Sequence, residues 1–203
     1  GVDDVSPPLL AMTATASPGV LRDVLRELEI DDSDPEVLQR STDFDRPNLK
    51  YEVLVGTTDE IFPTLRKAVI NSVPNALQLK LQELTESREG DTASGVLFVP
   101  WATSDYGVIE TRKKLRDWFS EVEIEVPNIE IYSGKNPYGS QSETKFDSRW
   151  DATKNLATKR FMNNDSPILV ATKAFGMGID KPNIRWTIHL GFPSSIEAFA
   201  QEA

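Results

Sequence analysis

The stretch that decides the fold joins two short apolar runs in the last quarter of the sequence. It reads Ala171-Thr172-Lys173-Ala174-Phe175-Gly176-Met177-Gly178-Ile179-Asp180-Lys181-Pro182. The apolar runs at residues 167–170 and 185–190, on either side of it, are typical of buried strands. The connection contains two glycines, a threonine and an acid, so it is either an ordinary glycine-containing turn or a loop whose backbone approaches a ligand.

Outward from this loop, apolar runs and helical patterns alternate along the chain. The patterns predict strands at residues 9–12, 49–55, 95–99, 128–132, 167–171 and 185–190. They predict helices at residues 18–29, 61–70, 76–84, 148–162 and 196–202, and another that begins at Thr103 or Ser104. From residue 49 onward this alternation indicates an α/β fold with a mostly parallel central sheet and helices on both faces.

Polar or glycine-containing segments follow four of the predicted strands. They are Thr13, residues 99–104, Ser133 with Gly134, and residues 172–180. Ligands of parallel sheets bind outside the carboxyl ends of the strands, so this convergence favours a binding site over an ordinary turn. Trp101, in the second segment, could stack on a nucleic-acid base, but a tryptophan after an apolar strand more often packs, and we expect Trp101 to pack.

Composition limits the classes of function. The 203 residues carry a net charge of −10, with a pI near 4.7, which argues against a protein that coats nucleic acid through a broad basic surface. A narrow contact track on nucleic acid remains open, because backbone amides and hydroxyls also bind phosphates. The sequence has no cysteine and one histidine, His189, in an apolar strand pattern, which favours a core histidine over a metal ligand.

Three stretches resemble the RecQ family of superfamily 2 DNA helicases and occur in the family's order. They are Ala11-Met12-Thr13-Ala14-Thr15-Ala16, then Phe44-Asp45-Arg46-Pro47-Asn48-Leu49 with Tyr51, and then residues 171–185. The resemblance covers nearly the whole chain and implies a three-layer RecA-like fold of the P-loop NTPase type. By this resemblance, residues 1–48 are the end of the first lobe with a helix and linker, and residues 49–203 are the second RecA-like domain.

Several family features are absent or altered. The phosphate-binding Gly-Lys-Ser/Thr loop and the Asp-Glu-x-His motif do not occur, and the Gly-Arg-x-Gly-Arg continuation of the last motif is not in the sequence. Where the family has Tyr-His-Ala-Gly, this chain has Ile131-Tyr132-Ser133-Gly134, and the loops at 86–94 and 133–147 are longer. We therefore expect a fragment that does not hydrolyse ATP alone, with ATP and Mg²⁺ used by a full-length parent.

The resemblance also implies roles for individual residues. Nucleotide contacts are implied for Gly176, Gly178, Asp180 and Gln201, with Asp180 at the ribose and Gln201 on the γ-phosphate side. DNA contacts are implied for Thr172, Ser133 and Gly134, and coupling of the two sites for Thr13, Ala14 and Thr15. Plain alternatives stay open, since Asp180 could cap a loop and Thr172 could simply end a strand. No metal ligand is implied.

The expected function is that of the C-terminal motor lobe of an ATP-dependent DNA helicase, forming one wall of the ATP cleft and part of a single-stranded DNA track. Its expected partners are single-stranded or partly duplex DNA and the first RecA-like lobe of the same parent. Alternatives are a non-catalytic, helicase-like interaction module and a DNA translocase of a repair, restriction or defence system. No run approaches the length of a transmembrane helix, so we expect no membrane partner and a cytoplasmic or nuclear location.

Overall fold

The computed structural model describes residues 9–12, 18–33, 36–39, 47–88, 91–139, 148–176, 179–191 and 199. The chain divides into two compact units, residues 1–52 with 194–201 and residues 53–193 with 202–203. The predicted boundary after residue 48 lies close to the first of these divisions, and the assignment of the two parts to two lobes stays a prediction.

In the described part of the first unit, residues Pro18–Glu27 form the helix α1, which confirms the helix predicted there. None of its residues is fully buried, and Arg26 pairs with Asp23 one turn earlier at 3.2 Å. The helix ends where Glu29 adopts a positive φ of 52°, a left-handed conformation that cannot continue a helix. The strand predicted at residues 9–12 is wrong, because this exposed segment is not in a strand.

The second unit contains a four-stranded parallel sheet. Its strands are β1 (Ser94–Phe98), β2 (Ile129–Tyr132), β3 (Ile168–Ala171) and β4 (Ile184–His189). Their order across the sheet is β2-β3-β1-β4, and every pairing is parallel. The predicted α/β class and the four strands after residue 90 are confirmed.

The helices of this unit are α2 (Ile61–Lys67), α3 (Val73–Leu77), α4 (Val108–Glu121) and α5 (Ser148–Met162). A π-helical turn at Ala68–Ser72 joins α2 to α3, and short 3₁₀ helices lie at Thr58–Glu60 and Leu81–Leu84. The predicted helix at 76–84 is wrong, because Gln78 turns left-handed (φ 57°) and closes α3. The helix expected from Thr103 or Ser104 begins instead at Val108, after Gly107.

Alternate residues of the strands face two apolar clusters, one on each side of the sheet. Leu97 of β1 and Val170 of β3 join Phe119 of α4 in the larger cluster. Val96 and Leu169, one position away on the same strands, join the smaller cluster. This alternation follows from the period of two along a strand, and it gives both faces of the sheet a buried core.

The strand predicted at residues 49–55 is wrong. Its alternating pattern is typical of a half-buried strand, but the described segment pairs with no other strand. Val53 and Val55 are almost fully exposed, at 85% and 91% of their surface. Alternation indicates that a segment can form a strand, and it does not supply the neighbouring strand that would hold it.

Candidate functional site

All four strands of the sheet end at the same edge, which we call the carboxyl rim. Backbone hydrogen bonds continue one residue past the strands, from the Thr172 amide to the Tyr132 carbonyl at 3.0 Å and from Leu190 to Phe98 at 2.8 Å. The rim consists of residues 99–107 after β1, 133–139 after β2 and 172–176 after β3. These ladder bonds fix the starting points of the loops relative to one another.

Thr172 is fixed at the rim by a tight turn. Its carbonyl accepts a hydrogen bond from the Phe175 amide at 3.0 Å, and only 8% of the residue is exposed. The Phe175 ring is buried against Tyr132 and Phe161, with ring centroids 5.3 and 6.0 Å away. The turn therefore has a buried anchor on its far side, which leaves Lys173 exposed at its tip.

Ser133 and Gly134 lie beside this turn but differ in accessibility. The Ser133 hydroxyl is fully buried and donates to the Lys135 carbonyl at 2.6 Å, so it is used inside its own loop. Gly134 is exposed, and a Cβ built on it would lie 3.4 Å from the Cβ of Ala174. The structure thus brings Thr172, Ser133 and Gly134 together. Of Ser133 and Gly134, only Gly134 exposes its backbone to solvent.

The second half of the Thr172–Asp180 segment lies elsewhere. The Lys181 ammonium group donates to the Met162 carbonyl and to the Asn164 side chain, just beyond the end of α5. Asn183 donates to Asn164 at 2.9 Å and to the Thr92 carbonyl, just before β1, also at 2.9 Å. These contacts place the end of the loop at the amino edge of the sheet, opposite the carboxyl rim.

The expectation that residues 172–180 lie together at the carboxyl ends of the strands is therefore wrong for the second half. The parallel connection has to cross from the end of β3 to the start of β4, and the five-residue β1 between them spans about 13 Å. Gly176, with a φ of 121°, lies on this crossing in a conformation that favours glycine. Asp180 is exposed and directly precedes Lys181, whose hydrogen bonds lie at the amino edge.

Lys181 is a buried cation in this part of the site. Only 6% of it is exposed, and its ammonium group lies 5.1 Å from the centre of the Phe161 ring. Loss of solvation lowers the pKa of Lys181 below its ordinary value. These hydrogen bonds hold Lys181, and with it the backbone next to Asp180, in place. The sequence pattern predicted only that Lys181 ends the loop.

The remaining nucleotide and coupling residues, Gly178, Gln201, Thr13, Ala14 and Thr15, lie outside the described residues. Within the described ranges, no group of three or more acidic or histidine side chains could hold a metal ion. No helix in the described part is long and apolar enough to cross a membrane.

The sequence interpretation did not predict the exposure of two aromatic residues at the rim. The expectation that Trp101 packs is wrong, because 61% of it is exposed, and Tyr138 is 62% exposed. The signal was present for Tyr138, which lies between Pro137 and Gly139 in a polar loop. Trp101 follows Pro100, and a proline directly after a buried strand can turn the next side chain away from the core.

Comparison with protein families supports the resemblance seen in the motifs. Residues 142–203 match the helicase conserved C-terminal domain. The chain is 28% identical over 201 residues to the probable ATP-dependent DNA helicase RecS of Bacillus subtilis, covering 97% of this chain and 31% of the relative. It is 25% identical over 197 residues to ATP-dependent DNA helicase RecQ of the same organism, covering 97% of this chain and 25% of the relative.

A third relative has a name that points to RNA. The putative ATP-dependent RNA helicase R290 of Acanthamoeba polyphaga mimivirus is 29% identical over 198 residues, covering 96% of this chain and 27% of the relative. The chain thus spans less than a third of the length of these curated relatives. The predicted similarity to RecQ-type helicases, including a helicase C-terminal domain, is confirmed.

Proposed function

Because the chain is similar to RecQ-type DNA helicases along nearly its whole length, we propose that it is the C-terminal motor lobe of an ATP-dependent DNA helicase. The parent protein, in this proposal, is a longer chain that joins residues 1–203 to a phosphate-binding lobe. The observation that carries the proposal is the convergence of Thr172, Ser133 and Gly134 at the carboxyl rim, where parallel sheets bind ligands.

The carboxyl rim forms part of a single-stranded DNA track. The Thr172 hydroxyl and the exposed Gly134 backbone offer polar groups of the kind that bind phosphate oxygens without reading the base sequence. Ser133 supports this surface from below, since its hydroxyl is used by Lys135 and its carbonyl by Trp150. Contacts of this kind make binding independent of sequence and sensitive to salt.

Asp180 and the glycines near it form one wall of an ATP cleft. The Asp180 carboxylate is exposed and is suited to accept hydrogen bonds from ribose hydroxyls. Gly176 and Gly178 let the backbone approach the nucleotide, and Gln201 lies on the γ-phosphate side. Bound ATP with Mg²⁺ supplies the free energy for movement along DNA.

The chain alone does not hydrolyse ATP in this proposal. Phosphoryl transfer requires a phosphate cradle, metal ligands, an oriented water molecule and an arginine finger. The sequence has no Gly-Lys-Ser/Thr loop, and the described residues assemble no metal site. The first lobe of the parent supplies the cradle and the metal site, and residues Thr13, Ala14 and Thr15 couple nucleotide binding to the DNA track.

One observation favours a second candidate, a helicase-like module that binds a protein partner. The chain has a net charge of −10, and Val53 and Val55 are exposed in a segment that could pair with a partner's strand. Such a module would bind its partner without using ATP, so the parent would show no ATP hydrolysis in the assay below.

The role of Asp180 is tested by Asp180→Ala in the parent protein. Removal of a ribose contact should raise the KM for ATP about tenfold or more, as expected for one hydrogen bond to a charged group. Steady-state ATPase rates in the presence of single-stranded DNA measure this change.

Asp165→Ala is the matched control, because Asp165 is another exposed aspartate in a connection at the amino edge. This variant should keep the KM of the unaltered parent. If Asp180→Ala also leaves the KM and kcat unchanged, Asp180 does not contact the nucleotide.

A further inference from the structure

Two exposed aromatic rings stand at the carboxyl rim, outside every group that the resemblance assigns to DNA. Trp101 follows β1 and Tyr138 follows β2, and each exposes about six-tenths of its surface. Exposed large rings are unusual at positions that have no partner, since a tryptophan normally buries most of its area. The contacts around each ring show whether the loop that carries it is held in one conformation.

Trp101 belongs to a closed loop with a strained backbone. The Trp101 backbone forms an isolated bridge with Gly107, and the Gly107 amide donates to the Ser104 carbonyl at 3.0 Å. Ser104 has a φ of 135°, which is rare for a residue with a side chain. A Cβ on Gly107 would lie 2.9 Å from the Ala102 carbonyl oxygen, so the loop is also tightly closed.

Tyr106 anchors the same loop to the rest of the unit. Its hydroxyl donates to the Thr58 carbonyl at 3.2 Å, and its ring lies 5.3 Å from the Phe62 ring of α2. The loop thus leaves Trp101 exposed while its own Tyr106 ring is half-buried against Phe62. Backbone strain that the surrounding structure maintains is a feature found at functional sites.

Tyr138 is held in place from three sides. Its amide donates to the Asn136 side-chain oxygen at 3.0 Å, which forms an Asx turn. Its hydroxyl accepts a hydrogen bond from Arg112 of α4 at 3.1 Å. Its ring meets the buried Trp150 ring edge to face at 6.3 Å. One face of this ring remains open to solvent although the residue is fixed.

The charges at the rim differ in sign from those of the whole chain. Within the rim segments, Lys135 and Lys173 provide two positive charges against the one acid Asp105, and α4 adds Glu110 and Arg112, which contacts Tyr138, whereas the chain has a net charge of −10. Lys173 follows β3, which lies between β1 and β2, so a cation lies between the loops of the two rings. The two loops start two strand spacings apart, about 10 Å, a span of about three nucleotides of a stacked strand.

From this arrangement we propose that Trp101 and Tyr138 form a base-stacking platform for single-stranded DNA, with Lys173 and Arg112 near the phosphates. The inference rests on the proposed DNA track and adds base contacts to its backbone contacts. Stacking on an exposed ring accepts any base, because every base has an aromatic face, so the platform grips DNA without reading its sequence.

The test compares two ligands of equal charge on the parent protein without nucleotide. The ligands are fluorescein-labelled oligothymidylate and a strand of the same length with abasic sites in place of the bases. Trp101→Ala and Tyr138→Ala should each weaken binding of oligothymidylate about fivefold or more, and should leave binding of the abasic strand unchanged. Tyr138→Phe keeps the ring but removes the hydroxyl that accepts from Arg112, so it should restore most of the oligothymidylate binding that Tyr138→Ala loses.

Leu156→Ala is the control, because Leu156 is an exposed apolar residue of α5 outside the rim segments. If the alanine variants bind oligothymidylate with unchanged affinity, or lose both strands equally, the stacking platform is wrong while the DNA track still stands. If the unaltered parent binds neither strand, both the platform and the proposed DNA track fail. If the alanine variants lose binding to a protein partner but keep their affinity for oligothymidylate, the platform is also wrong.

Discussion

At the scale of single residues, the contact between Gly95 and Trp186 determines how β1 and β4 fit together. The Trp186 ring lies directly over Gly95, so a Cβ built there would be 1.8 Å from the ring atom Cε2. The pairing of the two strands shifts by one residue at this point, between Ser94 and Gly95. The φ of Gly95 is not positive, so its backbone conformation does not require glycine. Glycine is required because the Trp186 ring occupies the space of a Cβ.

Gly95→Ala should therefore destabilise the chain. The added methyl group has to displace a buried tryptophan, and overpacking of this kind costs about 1–3 kcal/mol or more. Urea unfolding of the purified chain measures the loss. Gly134→Ala is the control, because its nearest neighbour would be 3.4 Å away and its free energy of unfolding should change by less than about 0.5 kcal/mol. Equal stability of the two variants would contradict the observed packing.

Lys181 gives a second prediction at this scale, on the dependence of stability on pH. Desolvation lowers the pKa of Lys181 below the ordinary 10.5, although the Phe161 ring and two oxygen acceptors favour the cation. The folded chain then releases this proton at a lower pH than the unfolded chain. Between the lowered pKa and 10.5 the unfolded state binds more protons, so folding becomes more favourable as the pH rises.

Lys181→Met removes this titration. The free energy of unfolding of the unaltered chain, minus that of the variant, should be constant near neutral pH and rise as the pH approaches 10.5. Urea unfolding of both proteins over that range measures the difference, in which other titrating groups cancel. A difference that falls with rising pH would show that the fold stabilises the ammonium cation and raises its pKa.

At the scale of elements, α5 connects the two edges of the sheet. Trp150 in its first turn donates from Nε1 to the Ser133 carbonyl at 2.9 Å, and Phe161 in its last turn packs below Lys181. The helix was predicted with its observed bounds, because its apolar residues recur with helical spacing. Which edge each end reaches depends on contacts far apart in sequence, and periodicity does not contain that information.

Trp150→Phe should loosen the connection between α5 and the loop after β2. The change leaves the Ser133 carbonyl without its indole donor in a buried place, which costs about 1–3 kcal/mol in free energy of unfolding. Urea unfolding measures this loss, and Leu156→Ala on the same helix should cost less than about 0.5 kcal/mol because Leu156 is half exposed. No loss in Trp150→Phe would show that the Ser133 carbonyl finds another donor.

The same scale shows where prediction from sequence ends. Each strand after residue 90 is a short apolar run, and such runs identify buried strands of a parallel sheet well. Residues 49–55 have a strand pattern as clear as theirs, yet they pair with no strand in the described chain. The loop from Thr172 to Asp180 was expected at one edge because it directly follows a predicted strand and contains glycines and polar residues, whereas only the strand order β3-β1-β4 shows that it crosses the sheet.

At the scale of the whole molecule, the proposed DNA track lies on a chain with a net charge of −10. Sequence motifs were sufficient to identify the helicase similarity and the α/β class, since both depend on residues close together in the chain. The exposure of Trp101 and the burial of the Ser133 hydroxyl follow from tertiary packing, and no pattern in the sequence indicates them. The proposed motor function also requires the first lobe that we propose for the parent protein.

The most direct test of the motor function is ATP-dependent strand separation by the parent protein. A labelled, partly duplex DNA is followed with time in the presence and absence of ATP, with residues 1–203 alone as the comparison. The account predicts separation by the parent with ATP, and neither separation nor ATP hydrolysis by residues 1–203 alone. Hydrolysis by the chain alone, or a folded parent that separates no strands in the presence of ATP, would contradict it.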